Sequence, residues 1–235
     1  MTELLCLTEA YWRTFSARVI GLAEDGVILD RTAFYPGGGG QPNDSGSLQA
    51  DQRTWAVTGL RKQAGQIVHQ IAGPLPAVGT DIEGRLDWER RYQLMRTHTA
   101  MHVLCGVVWR DYGAQVTGGN MDPLQGRMDF EFATLRKELV AEIEAAVNRE
   151  VAAARPVVVR ILPRAEAFQI PDLIRTKINL LPPDIAEVRT VEIVGLDLQA
   201  DGGTHVANTQ EIGRIRIPDY KSKGAINKRF YIELS

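Results

Sequence analysis

Over the first third of the chain, apolar residues alternate with polar ones in short runs. Residues 15–22 and 27–29 flank Glu24-Asp25-Gly26, a hairpin-like junction, and residues 54–60, 66–70 and 81–86 repeat the pattern. Period-two runs with turn residues between them predict strands, and their even spacing predicts a small β-barrel. His69 falls in one of these runs without a metal-like neighbour and reads as an ordinary strand residue, while the segment from Pro74 to Gly79 is a loop. At residue 86 the period changes. Asp87 is placed to cap a helix running through Val107, Val108 and Trp109, on which Leu94, Met95, His98, His102 and Cys105 share one face. Beyond it, residues 115–117 and 127–132 alternate again. A second helix is predicted from Leu135 to Ala154, capped by Thr134, with Leu135, Leu139, Ile143, Val147 and Val151 as its apolar stripe and Pro156 just past its end. Residues 157–162 and 188–194 read as buried strands, the second leading into the loop at Asp201, and residues 212–217 and 229–234 complete a mostly antiparallel sheet. The expected fold class is α+β, with a small N-terminal β-barrel over residues 1–86 and an α/β-layered domain over 87–235.

Composition narrows the setting. A chain of 235 residues with 44% hydrophobic content can bury a sizeable core. It contains no run near the roughly 20 apolar residues of a membrane span, and no basic segment leads into an apolar one at the start, so a cytoplasmic location is expected. Cys6 and Cys105 lie too far apart in sequence to suggest a disulfide framework; Cys105, past His102 on the same face, reads as a buried inert thiol. The formal net charge of -2 leaves no overall basic footprint for nucleic acid. Locally, Lys221, Lys223, Lys228 and Arg229 cluster near the C-terminus, a group that reads equally as a solvated loop or as a phosphate contact.

The chemistry is concentrated in two stretches, which hold three of the four histidines. On a helix, His98 and His102 stand one turn apart and point the same way, so both imidazoles can reach one ion. Asp201 and His205 repeat the spacing beside Gly202 and Gly203, whose backbone can turn tightly, and supply two further donors. A His-x-x-x-His pair by itself is more often packed and hydrogen-bonded than metallated. The glycine run Gly37 to Gly40 is not a nucleotide-binding loop, since no Gly-Lys-Ser/Thr follows and Pro42-Asn43-Asp44-Ser45-Gly46 is turn chemistry. No Gly-x-Ser-x-Gly element supports a covalent serine mechanism.

Three stretches taken together, Phe34-Tyr35-Pro36-Gly37-Gly38-Gly39-Gly40-Gln41-Pro42-Asn43-Asp44-Ser45-Gly46, Arg96-Thr97-His98-Thr99-Ala100-Met101-His102 and Asp201-Gly202-Gly203-Thr204-His205-Val206, resemble the editing domain of alanyl-tRNA synthetase. They resemble more closely its freestanding relatives, the AlaX alanyl-tRNA editing proteins. The resemblance spans nearly the whole chain and implies the same architecture, with residues 87–235 as the editing domain. It implies one zinc ion per chain, held by His98, His102, Asp201 and His205; either a metal-bound water is the nucleophile, or the metal holds the substrate's amino or hydroxyl group while another group positions water. It also implies substrate contacts at Gly38, Gly39, Gln41, Gln115, Thr117, Gly202, Gly203 and Thr204, and it favours tRNA contacts at Lys221, Lys223, Lys228 and Arg229. One ligand position departs from the family, which usually has cysteine where this chain has Asp201. Either the carboxylate completes the shell, or three histidines and a water do and Asp201 orients that water. The activity implied is hydrolysis of tRNA(Ala) mischarged chiefly with serine, and with glycine. Editing of serine on tRNA(Thr), a non-catalytic module that binds tRNA or a synthetase, and an unrelated metal hydrolase of small esters are the alternatives. The length leaves no room for an aminoacylation domain.

Overall fold

The alternating runs of the first third close into a barrel. The computed structural model describes residues 1–131, 136–176, 181 and 185–235, and the chain divides into two compact units, Met1–Gln93 and Leu94–Ser235. The first unit carries β1 (Glu3–Leu4), β2 (Thr14–Ala23), β3 (Gly26–Leu29), β4 (Arg31–Thr32), β5 (Gly46–Ala50), β6 (Arg53–Gln63), β7 (Gln66–Ile71) and β8 (Asp81–Leu86). Strands β1 and β4 form a short parallel pair. The other six form the closed barrel in the order β2-β3-β7-β6-β5-β8. Along β2 and β8 every second residue points inward, so Phe15, Ala17, Val19, Ile82 and Leu86 join Leu29, Phe34, Leu48, Trp55 and Val57 in one core. Strand β5 was not apparent from the sequence: Gly-Ser-Leu-Gln-Ala has little strand character, and barrel closure holds it between β6 and β8.

Two polar devices are buried in this unit. Arg91 is fully enclosed: its Nε donates to Asp44, Nη1 to the Ala10 carbonyl and Nη2 to the Ala33 carbonyl and to Asp44, while Asp44 also accepts the Tyr35 N–H. His69, also fully buried, has Nδ1 against the Val27 carbonyl at 3.3 Å and Nε2 against the Thr32 hydroxyl at 2.8 Å.

Helix α1 (Trp88–Tyr112) begins in the first unit and continues into the second. Asp87 caps it, its carboxylate accepting the Arg90 N–H at 3.2 Å. From Thr97 to Val108 every residue is buried, as expected of a helix enclosed on all sides.

The second unit continues with β9 (Val116–Asp122), β10 (Gln125–Glu131), α2 (Lys137–Ala152), β11 (Val157–Pro163), α3 (Arg164–Ala167), β12 (Glu187–Ile193), β13 (Asp197–Ala200), β14 (Ile215–Ser222) and β15 (Asn227–Leu234). Among the described residues two antiparallel sheets form, β14-β15-β10-β9 and β11-β12-β13, where a single sheet was expected. Helix α2 covers the β14 edge with side chains that complete its hydrogen bonds: Asn148 bonds both the N–H and the carbonyl of Ile215, and Glu144 accepts the Ile217 N–H.

Several boundaries differ from expectation. Among the described residues α2 starts at Lys137; the expected cap Thr134, with Leu135 and Phe132, lies outside the described residues. Its buried stripe is Val140, Ile143, Ala146, Val147, Glu150 and Val151, with Leu139 only half-buried. Glu150 fits there because Arg110 and Arg155 each reach it at 2.6 Å. Strand β11 is not buried, since it lies at the edge of its sheet and Ile161 is 43% exposed. Strand β12 does not lead directly to Asp201. The Leu196 N–H bonds back to the Ile193 carbonyl, a tight turn follows, and β13 intervenes. Ile212 belongs to a short 3-10 turn, and β14 starts three residues later.

Candidate metal centre

Helix α1 supplies His98 and His102, and the loop leaving β13 supplies Asp201 and His205. Their donor atoms all lie within 4.8 Å of one another. Asp201 stands at the centre: its Oδ1 is 3.5 Å from His98 Nε2 and 4.0 Å from His102 Nε2, and its Oδ2 is 3.0 Å from His205 Nε2. Zinc bonds of about 2.0–2.2 Å in a tetrahedron space the ligands by roughly 3.4 Å, so this cluster is of the right size. The rings of His98 and His205 stack at 4.2 Å between centroids, with His102 edge-on to both.

The outer nitrogens fix the tautomers. His102 Nδ1 faces Asp197 Oδ2 at 3.2 Å; a carboxylate only accepts, so the proton is on Nδ1 and the Nε2 lone pair faces the cluster. His205 Nδ1 is 3.2 Å from the Thr99 hydroxyl, which donates to the Met95 carbonyl and accepts the Val206 N–H. His205 therefore donates from Nδ1, and its Nε2 lone pair meets the Asp201 carboxylate. Two acceptors facing each other at 3.0 Å form an arrangement that a cation resolves, and by that test the residues fit a divalent metal.

Electrostatics agree. Burial pushes His98 down to about 4 and, with His98 beside it, holds His205 well below the ordinary histidine range. Burial alone would also lower His102, but the bond to Asp197 and the nearby carboxylate charges outweigh it, and its proton affinity rises. Burial would raise Asp201; the neighbouring His98 and the His205 contact reverse that and keep it well below the usual carboxylate range. Asp201 also accepts the Gly203 N–H at 2.7 Å, while the Arg189 guanidinium bonds its carbonyl at 2.8 Å.

The remaining expected site residues are distributed as follows. Thr204 and Gly203 are buried and Gly202 is exposed, and neither glycine is among those with positive φ, so the loop uses the Gly203 N–H rather than a left-handed turn. Gln115 is exposed beside the start of β9, and Thr117 within it donates to the Asn227 side chain at 3.3 Å. Gly38, Gly39 and Gln41 belong to the first unit. There Gly38 and Gln41 exchange both backbone hydrogen bonds around Gly39 and Gly40, at φ 59° and 86°, a turn type that requires positive φ at both central positions. Gln41 is buried. At the β14–β15 hairpin Lys221 and Lys223 are exposed, whereas Lys228 is buried and gives its ammonium protons to Ser222 Oγ and the carbonyls of Gly224 and Ala225. Arg229 forms a bidentate pair with Asp129 at 2.6 and 2.7 Å. Asp197, Thr99, Gln199 and Arg189 were missed as contributors. Thr99 lay within the histidine stretch and was readable there; the others depend on the β12–β13 hairpin, which periodicity did not reveal.

Similarity to known proteins follows the same outline. Residues 6–90 match the family model described as tRNA synthetases class II (A), and residues 188–231 match that of the threonyl and alanyl tRNA synthetase second additional domain. The chain is 39% identical over 220 residues to the alanine tRNA ligase of Pyrococcus furiosus, which covers 92% of this chain but 24% of the ligase. It is 39% identical to the alanyl-tRNA editing protein AlaX-M of Methanosarcina barkeri, over 100% of this chain and 99% of that protein. It is 40% identical to AlaX-M of Saccharolobus solfataricus over 98% of both chains. Matched end to end by freestanding proteins, and by only a segment of a synthetase, the chain belongs to the AlaX-M family of alanyl-tRNA editing proteins.

Proposed function

We propose that this protein is a trans-editing hydrolase that deacylates mischarged tRNA(Ala), chiefly seryl-tRNA(Ala) and also glycyl-tRNA(Ala), with one zinc ion held by His98, His102, Asp201 and His205. The observation that carries the reading is the convergence of those four donors within 4.8 Å in a chain that matches freestanding editing proteins over its full length. Bound there, a divalent ion supplies Lewis acidity and lowers the pKa of a coordinated water. The chain does the rest. Asp201 contributes the anionic donor, and the neutral imidazoles of His98 and His205 present lone pairs at neutral pH. The three imidazoles are buried and Asp201 is nearly so, which limits bulk water around them and strengthens each electrostatic contact. Serine is distinguished from alanine by its hydroxyl, and a site whose polar groups pair with that hydroxyl leaves them unpaired when alanine enters, which can discriminate by several orders of magnitude.

Gln115, Thr117 and the loop of Gly202, Gly203 and Thr204 are assigned to the substrate, as are Gly38, Gly39 and Gln41 of the first unit on motif resemblance alone. Lys221 and Lys223 are assigned to tRNA phosphates, with Lys228 and Arg229 supporting the hairpin that carries them. The test is deacylation of seryl-, glycyl- and alanyl-tRNA(Ala) and of seryl-tRNA(Thr) by the purified protein and its His98→Ala variant. Loss of serine from tRNA(Ala) with alanine retained, abolished by His98→Ala, is expected. If metal is bound and no charge is lost, the protein is a binding module; if serine leaves tRNA(Thr) instead, the tRNA assignment is wrong.

A further inference from the structure

We propose that Asp197 is a positioning residue of this centre, a carboxylate that fixes His102 in the orientation and tautomer presenting Nε2 to the ion. The inference rests on the reading that His98, His102, Asp201 and His205 hold a metal, and it adds a group that is not itself a ligand. The Asp197 side chain is fully buried, so its charge has to be compensated from within. Each oxygen has its own work. Oδ2 takes the His102 Nδ1–H at 3.2 Å and the Gln199 Nε2–H at 2.6 Å. Oδ1 faces Arg175 Nε at 3.5 Å, a contact of charges in which neither atom has a hydrogen-bond partner among the described residues. The Arg175 guanidinium is in turn seated over the Trp109 ring, 4.6 Å from its centroid. Asp197 is thereby held from both sides.

A second, independent feature brings it to His102. Gly106 lies one helical turn beyond His102 on the same face of α1. A Cβ at that position would come 2.9 Å from Leu196 Cγ and 3.0 Å from Asp197 Cβ. The missing side chain is what lets the β12–β13 corner close on the helix. His205 and His102 are thus treated differently: His205 leans on a neutral hydroxyl and His102 on an anion, which makes His102 the more basic donor of the two.

The test measures zinc dissociation constants by chelator competition, on the full chain, for wild type, Asp197→Asn, His102→Ala and the double variant, with visible spectra of the Co(II)-loaded proteins. Asparagine has the same shape but can turn its amide N–H toward Nδ1, which would move the imidazole proton to Nε2. Asp197→Asn is expected to weaken zinc about 10–100-fold and to alter the cobalt spectrum. In the His102→Ala background it should change affinity by no more than about twofold, since its effect passes through a ring no longer present. Gly106→Ala, a substitution that favours helix, should weaken zinc in the same direction by displacing Asp197, and it carries the test should Asp197→Asn not fold. Affinity within about threefold of wild type for Asp197→Asn, or an equal loss with and without His102, overturns the proposal while leaving the metal and editing readings intact. Wild-type protein that binds no zinc overturns both.

Discussion

His69 makes the stability of the first unit depend on pH, and the dependence can be worked from its surroundings. The Val27 carbonyl can only accept, so Nδ1 carries the proton; Nε2 then takes the Thr32 hydroxyl, whose oxygen accepts the Phe34 N–H at 3.2 Å. The ring edges onto Phe34, 5.8 Å between centroids, and the chain of bonds is complete with the imidazole neutral. Burial pushes its pKa down to about 4, against about 6.5 in an unfolded chain. Between those values the unfolded state binds a proton that the native state refuses, so stability rises with pH across that window and is lost on acidification. The loss is about 2 kcal/mol from pH 7 to pH 5, and about 3 kcal/mol by pH 4. Native-state hydrogen exchange at β3 and β7 amides, on wild type and His69→Gln at pH 7 and 5, isolates the effect, because His98, His102 and His205 cancel in the comparison. The wild type should lose about 2 kcal/mol more than the variant over that interval. A difference under about 0.5 kcal/mol, or a His69 ring resonance titrating near 6.5, would refute the reasoning.

Four further outcomes are expected. Arg91→Met leaves the Asp44 carboxylate buried without its guanidinium and should cost about 3–5 kcal/mol in urea denaturation, partly recovered when Asp44→Leu is added; a cost under about 1 kcal/mol would contradict the geometry. Dialysis against a strong chelator should abolish seryl-tRNA(Ala) deacylation, and stoichiometric zinc should restore it; activity that survives verified metal removal would count against the metal reading. Asp201→Cys should tighten zinc by at least tenfold in chelator competition while retaining deacylation, because thiolate donates more charge than carboxylate; weaker binding would place Asp201 outside the shell. Lys228→Met frees two carbonyls at the β14–β15 hairpin, so amide exchange around residues 224–226 should accelerate several-fold with little change at β9; unchanged exchange would show that the ammonium is not what closes the tip.

The sequence exposed most clearly what repeats. Short runs, most of them alternating and bounded by turn residues, marked five of the barrel strands, and the change of period at residue 86 marked the start of α1, because one buried face constrains every residue that points toward it. His98 and His102 were readable as a pair because a spacing of four on a helix fixes relative direction regardless of the rest of the fold; Asp201 and His205 lie in a loop, where the same spacing fixes no direction, and only the fold brings them beside the pair. What was not readable came from tertiary closure. Strand β5 has no strong pattern of its own, and β11 looked buried because Val157, Val158 and Val159 are apolar, although its edge position leaves Ile161 in solvent. Lys228 and Arg229 looked like free cations, and only the folded hairpin shows their protons already engaged. Asp197 sits in an unremarkable stretch of sequence; its importance depends on Gly106, 91 positions earlier.

One hydroxyl has a consequence for how quickly the centre can be loaded. Thr99 donates to Met95 within its own helix and accepts from His205 Nδ1 and from the Val206 backbone, so helix and loop are tied together by a side chain that is not itself one of the four donors. The ordering entropy of bringing the two halves together is then met when the chain folds rather than when an ion arrives. If an ion is held there, its uptake is governed by stripping water from the ion, not by a search through loop conformations. Release meets a loop that has little reason to open, so the ion should exchange slowly in both directions, and a chain once supplied would keep its metal through many rounds of substrate.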